Sequence, residues 1–465
     1  MNLLKENLKV VNVGIEEFKE GLEVQGIEYI NVNWKPPCGG DVKLLHAVKT
    51  IREKNTVDKA NEEAVKRIKE SVPFLTGAGK AVEVIPGMHK ALILHAGPPL
   101  AWKDMNYAMK SAVAGALIFE GLAETKDGVK LLVEQGEIEF APSYDYNCAV
   151  HAYGIISASM PVWVFENHPY GNKAYSPINE SSEKMLCCGD NSPEVIANLA
   201  WMKDRLLPVI SVSFTEKVNI KEIIDEAFKM GDELHIRNEA ASGILIRKIA
   251  SSVVSTDFPK EDLAEVVSFI TRRGDLFLNI ALGAARVIID SARDIEGSSV
   301  VTSMASNGSE FGIRVSGLKN QWFTSSVKLK DEKYIEGHDN ASVGSYSGDD
   351  PVIETASLGG ISILPAIQGS WVLDLSHDKI KDYAQDIRDI CESESSYDSK
   401  GLAGFDYIPY GIDVIKVVEL GTVPHISAQI MHRQAGTGRI GTGIIKPRMD
   451  AFHSAVLKLS GSKSG

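Results

Sequence analysis

Positive charge is the first thing this chain is short of. Its 49 Lys and Arg stand against 62 Asp and Glu, a net charge of −13 with a pI near 5.4. That balance argues against nucleic acid or an anionic membrane as the main partner. Cysteine is scarcer still. Cys38, Cys148, Cys187, Cys188 and Cys391 are odd in number and scattered, so they make no disulfide framework; there is no CxxC, and the vicinal pair is not a zinc pattern. Long apolar runs are missing too. The nearest, Leu276 to Ile289, is broken by Asn279 and Arg286 and falls short of the roughly 18 residues of a membrane span. No long apolar stretch follows Met1, so no signal peptide is expected and the cytoplasm is the expected compartment. What remains, 44% hydrophobic and 24% charged residues, is the composition of a soluble globular protein. At about 150 residues per domain, 465 residues suggest two to four domains.

The patterning predicts an α/β multidomain chain. Strand-like Leu8 to Val13, helical Glu16 to Gln25 and strand-like Ile27 to Val32 form a βαβ start, which points to a Rossmann-like α/β domain over residues 1–190. Its first turn has one glycine, Gly14, where the dinucleotide fingerprint has three, and Asn33-Trp34 stand where a ribose-binding acid belongs. No cofactor is therefore assigned. Asp41 is placed to cap a helix from Val42, after the Gly39-Gly40 turn. The amides at that helix start are one candidate anion site, and a rigid capped loop is the alternative. Lys90 to His95 reads as a buried strand that presents His95 before Gly97-Pro98-Pro99. Residues 191–296 are almost wholly helical and read as a helical domain, with Asp232, His235 and Glu239 on one face of a helix starting at Glu233. That spacing suits a metal or an anion network; ordinary helix-start electrostatics explains it as well, and no metal is assigned. Residues 297–465 read as an α+β domain with glycine-rich motifs, including strands at Val414 to Leu420 and His425 to Met431 and a helix over Asp378 to Glu394.

Met304 to Gly317 is the most informative stretch. Asn307-Gly308 is a turn pair, and Phe311, Ile313 and Val315 alternate with Gly312 and Arg314 as in a half-buried strand. An arginine fixed there can clamp a carboxylate or phosphate with two parallel hydrogen bonds; the alternative is a hairpin in which Arg314 pairs with Glu310 or another acid. Glu354-Thr355 precede a second glycine pair, Gly359-Gly360. Near the end, Gly436, Gly438 and Gly441 form a flexible backbone cradle with Arg433 and Arg439 at its rims, a candidate phosphate site.

These separated motifs, Trp34-Lys-Pro-Pro with Gly39-Gly40-Asp41, His95-Ala-Gly-Pro-Pro, Ser303 to Arg314, Glu354-Thr355 with Gly359-Gly360, and Arg433 to Gly443, resemble in order the YlbE-like family, from Asn12 to Leu459. The resemblance implies a subunit of an oxamate carbamoyltransferase-like enzyme of purine (allantoin) catabolism, working with FdrA-like and YlbF-like subunits. Its reaction turns oxalurate and phosphate into oxamate and carbamoyl phosphate. Such phosphorolysis needs two anions held side by side and an oxyanion stabilised, typically by about 3–4 kcal/mol per donor. On that reading Arg314 holds carboxylate or phosphate, the Asn307-Gly308 turn the oxyanion, and Gly436 to Gly443 the phosphate, while His95 is the general acid. Gly39, Gly40, Glu310, Glu354, Thr355, Arg433 and Arg439 complete the expected binding set, and a homo-oligomer is also compatible. Two alternatives stay open: a non-catalytic scaffold subunit, and a nucleotide- or CoA-dependent acyl-transfer enzyme.

Overall fold

In the computed structural model, residues 9–13, 17–32, 34–178, 185–272, 274–367, 372–396 and 407–461 are described. Leu8, the Gly14 turn, Asn33, residues 179–184 of the polar segment before Asp190, and the last four residues lie outside them. The fold is mixed α/β, with six small sheets among the described residues. No helix among the described residues is long and apolar enough to cross a membrane.

The βαβ start forms as expected: strands Lys9–Val13 and Glu28–Val32 pair in parallel around helix Glu17–Val24. No further strand joins that pair, so the extended parallel sheet of a Rossmann-like layout is not seen among the described residues. The strands that follow are mostly antiparallel. Val72–Lys80, absent from the sequence reading, lies between Pro161–His168 and Val218–Asn219 in a four-stranded sheet. Leu92–His95 pairs in parallel with Glu139–Pro142 and antiparallel with Ile155–Ile156.

The expected helices of residues 191–296 are present, and they pack on the Val72–Lys80 sheet rather than apart from it. One cluster of buried side chains takes in Leu75 and Phe165 from that sheet, Ile223, Ile244, Val266 and Leu282 from the helices, and Ile353 beyond them. Its axis is helix Phe277–Ile289, every residue of which is buried. Gly283 makes that fit possible, because a Cβ there would lie 2.1 Å from the Phe165 ring. Two helical expectations shift. Helix Glu239–Val254 starts six residues later than Glu233, because residues 232–238 turn, with Leu234 at φ 72. Asp232 and His235 therefore do not share a helical face with Glu239. Helix His377–Asp389 stops early, and strand Cys391–Ser396 follows it.

In the C-terminal third, Val301–Asn307, Phe311–Val315, Phe323–Ser325 and Ser347–Gly348 make one sheet, and Val327–Tyr334, Arg439–Pro447 and Ile426–Met431 another. Val414–Leu420 is a helix, not the expected strand. Asp413 caps its start through the Ile415 amide at 2.9 Å, and Gly421, at φ 65, ends it. A short apolar run does not distinguish the two periods, and here the caps decide.

Candidate functional site

The structure sorts the predicted residues into four places. The first is a cleft of about 870 Å³ between the turn before helix Glu239–Val254 and the Arg439–Pro447 sheet. Arg237, Asn238 and Glu239 line it from one side; Lys333, Gln429, Gly438, Arg439, Gly441 and Thr442 line it from the other. His151, Met185 and Cys188 also reach it. Of the glycine-rich motif, Gly438, Arg439 and Gly441 thus lie in the cleft wall, and Gly436 is tied beside it through its amide on the Cys188 carbonyl at 2.9 Å. Gly441 is close-packed: a Cβ there would stand 2.4 Å from the Lys333 carbonyl oxygen. Arg433 is exposed near this segment and does not line the cleft.

The turn that carries Arg237 rests on buried acids. Glu233 accepts hydrogen bonds from the amides of Ile236 and Arg237, the second at 2.8 Å. Burial pushes its carboxyl up to about 7. Asp232, also raised to about 6 by burial, accepts from the Ala241 amide at 2.8 Å and so starts the helix. His235 points the other way, its Nδ1 2.9 Å from Glu354 Oε1, and Glu354 also accepts from the Ser427 hydroxyl at 3.0 Å. Burial works against charge on His235, but the Glu354 carboxylate outweighs it and lifts the imidazole to about 9. Gly359 and Gly360 wrap this knot: a Cβ on Gly360 would sit 2.3 Å from Glu354 Oε1, and one on Gly359 2.3 Å from the Glu233 carbonyl. Thr355 donates its hydroxyl to the Pro351 carbonyl at 2.8 Å.

The second place is mostly buried, with Asp145 at its open edge. Arg286, Arg293 and Arg314 converge on the Tyr144 ring, with guanidinium carbons 3.8, 4.3 and 4.3 Å from its centroid. Arg314 is buried and pairs with Asp145 at 3.1 Å, not with Glu310. Arg286 and Arg293 both pair with Asp290. Burial lowers Arg286 to about 10. Burial also opposes a Tyr144 phenolate, yet the three guanidiniums prevail and its phenol falls below the ordinary range. Beside this nest the predicted His95 and Asn307 meet through the backbone. His95 is fully buried, with Nδ1 2.9 Å from the Ala96 carbonyl oxygen and Nε2 without a partner, and burial depresses its pKa. Asn307 accepts from the Ser309 and Glu310 amides at 2.9 and 2.8 Å and donates to the Pro98 carbonyl at 3.1 Å. Its side chain holds its own turn.

The third place is a cavity of about 260 Å³ lined by Gly308 and Glu310 over Leu329, Ile430 and Ile445. Glu310 accepts there from the Thr324 hydroxyl at 3.1 Å. The fourth is the Gly39-Gly40 turn, both residues at positive φ, before helix Val42–Glu53. Asp41 takes the Lys43 and Leu44 amides at 2.8 and 3.1 Å, as expected of a cap, and the turn lines neither cavity.

Sequence reasoning missed the acids Asp349 and Asp350 and the histidine at 151. Asp349 is buried and accepts from the amides of Gly97 and Val150, each at 2.9 Å, and from the Ser143 hydroxyl at 2.5 Å. Asp350 pairs with His151 Nδ1. A lone histidine among apolar residues, as in Ala-Val-His151-Ala-Tyr, carries no signal of its own. Arg286 did carry one, a charge inside an otherwise apolar run.

Fold and cleft together define a mixed α/β protein of many small sheets, with a cation-bearing polar cleft between its middle helices and its C-terminal glycine segment. The chain belongs to the AllG family. The family model described as oxamate carbamoyltransferase subunit AllG matches residues 138–350. The chain is 32% identical over 418 residues to the oxamate carbamoyltransferase subunit AllG of Escherichia coli (strain K12), covering 88% of this chain and 98% of that one. It is 35% identical over 461 residues to the uncharacterized protein YahG of the same strain, covering 98% of each. A crystal structure of a conserved protein of unknown function from Enterococcus faecalis V583 superposes with a TM-score of 0.84 at 35% identity, over 89% of this chain and 99% of that one.

Proposed function

We propose that this chain is the carbamoyl-handling subunit of a transferase that exchanges a carbamoyl group between phosphate and the amide nitrogen of oxamate, working with FdrA-like and YlbF-like subunits. One observation carries the reading: in a protein of net charge −13, Arg237, Lys333 and Arg439 line one open cleft together with the main chain of Gly438 and Gly441. Oxamate, oxalurate, phosphate and carbamoyl phosphate are all anions, and an acidic body must concentrate cations locally to hold two of them at once. Gly438, at φ 84 just before strand Arg439–Pro447, brings main chain to the cleft wall with no side chain in the way. Family membership and the 32% identity to a named oxamate carbamoyltransferase subunit support the same reaction class.

Arg439 is the residue to test, because it lies on the exposed lip of the cleft. Arg439→Ala is expected to weaken the thermal protection given by carbamoyl phosphate or phosphate at least tenfold in concentration, since a charged hydrogen bond contributes about 1.5–3 kcal/mol. The assembled subunits are expected to make carbamoyl phosphate from oxalurate. Equal protection of the wild type and the variant, or an assembly that forms no carbamoyl phosphate, overturns the reading.

A further inference from the structure

We infer that His151, oriented by Asp350, carries the proton between the attacking phosphate and the leaving amide nitrogen; this rests on the carbamoyl-transfer reading above. Among the described histidines, His151 is the one that lines the cleft, in company with Cys188, Gly438 and Arg439. The other three buried histidines among the described residues face elsewhere: His95 lies against the Ala96 carbonyl, His235 is held by Glu354, and His425 pairs with Asp386, and none of them lines the cleft. Asp350 takes Nδ1 of His151, which leaves Nε2 as the ring nitrogen for a ligand. Both side chains are almost out of water, 7% and 3% exposed, so the pair keeps its orientation without competition from solvent.

The surrounding backbone is arranged around this pair. Asp349, next to Asp350, accepts from the Val150 amide at 2.9 Å, and the Asp349 amide donates to the Val150 carbonyl at 2.9 Å. These reciprocal bonds join the residues just before His151 and Asp350, fixing both ends of the pair at one point. Gly348, at φ 157, makes room: a Cβ there would fall 2.1 Å from Asp350 Oδ2. Ground-state packing alone gives no reason to spend a buried carboxylate and a glycine on one histidine at a cleft wall. Proton transfer does, because the carboxylate fixes the tautomer and stabilises the imidazolium that forms in passing.

The step balances without another reagent. An oxygen of hydrogen phosphate attacks the carbamoyl carbon of oxalurate and gives its proton to Nε2 of His151. The bond from that carbon to the amide nitrogen breaks, its electron pair goes to nitrogen, and the nitrogen takes the proton back from Nε2. Oxamate and carbamoyl phosphate leave, and His151 is neutral again. His151 is thus a catalytic residue and Asp350 a positioning residue.

The test uses the assembled transferase. His151→Ala is expected to lower kcat by about 10²–10⁴-fold, the usual share of a general acid–base group. KM for oxamate in the reverse direction should stay within a few-fold, and thermal protection by carbamoyl phosphate should be kept. Added imidazole should restore part of the rate in His151→Ala, because the cleft is open to it, and none in Asp350→Asn, whose kcat falls while KM holds. His151→Gln, close in volume, guards against misfolding and is expected to be as slow as the alanine variant. Turnover of His151→Ala within about threefold of wild type overturns the inference alone, as does a slow His151→Ala that imidazole does not help. A wild-type assembly that makes no carbamoyl phosphate overturns the function reading, and this inference with it.

Discussion

Two groups of basic residues in this molecule are put to opposite uses. Arg286, Arg293 and Arg314 crowd a single buried ring, and their charge is taken up by Asp290, Asp145 and the Tyr144 π-face. Arg237, Lys333 and Arg439 stand around an open cleft, where Arg237 is also paired with Asp232 at 3.4 Å and Glu239 at 3.3 Å while Arg439 lies on the exposed lip. The lesson is that residue type says little about an arginine until its neighbours are known. A guanidinium stacked on an aromatic and paired with a carboxylate behaves as core; one on a glycine-rich lip keeps its donors for something that arrives.

The contrast breaks most easily at Asp349, which ties the two sides together. Asp349→Ala strands the Gly97 and Val150 amides and the Ser143 hydroxyl, at about 1–2 kcal/mol each, so a loss of about 3–6 kcal/mol in urea unfolding is expected. A loss under about 1 kcal/mol would show that the joint is not structural. Next comes the direct comparison. Arg314→Ala removes two cation–π contacts and the partner of Asp145, and should cost about 2–4 kcal/mol. Arg439→Ala should change stability by no more than about 0.5 kcal/mol. Equal losses in the two variants would erase the distinction between the clusters.

The smallest expected effect is in pH. His235 is raised to about 9 by Glu354, so its stabilising contribution is complete below the ordinary histidine value and is lost as pH climbs through about 9. Glu233, held up near 7 by burial, adds a loss with the same sign at lower pH, because its neutral form is the one the fold favours. Melting temperature should therefore fall from about pH 6 to pH 10, and Glu354→Gln should flatten the upper part of that slope. An unchanged slope in Glu354→Gln would move the titration elsewhere.

Much of the helical framework was legible in the sequence because its signals are local. Asp41, Asn106, Ser192, Asn219 and Ser376 each cap a helix through their own side chain. The glycine-rich stretch was legible too, and Gly438, Arg439 and Gly441 do share one cleft wall. The grouping of the other candidates was not, because it depends on contacts far apart in the chain. His151 meets Asp350 across 199 residues, Arg314 meets Asp145 across 169, and His235 meets Glu354 across 119. Val414–Leu420 failed for a different reason: a short apolar run fits both periods, and Asp413 and Gly421 are what select the helix.

The consecutive acids at 349 and 350 carry one last implication. They stand where strand Ser347–Gly348 bends into the turn before helix Val352–Thr355, so one carboxylate fastens the scaffold while the next reaches a ring at the cleft. A single residue inserted or deleted between Ser347 and Asp350 would draw both carboxylates off their partners and move Gly348 from the place where a Cβ would fall 2.1 Å from Asp350 Oδ2. Loop length at this spot is thus as strictly set as residue identity.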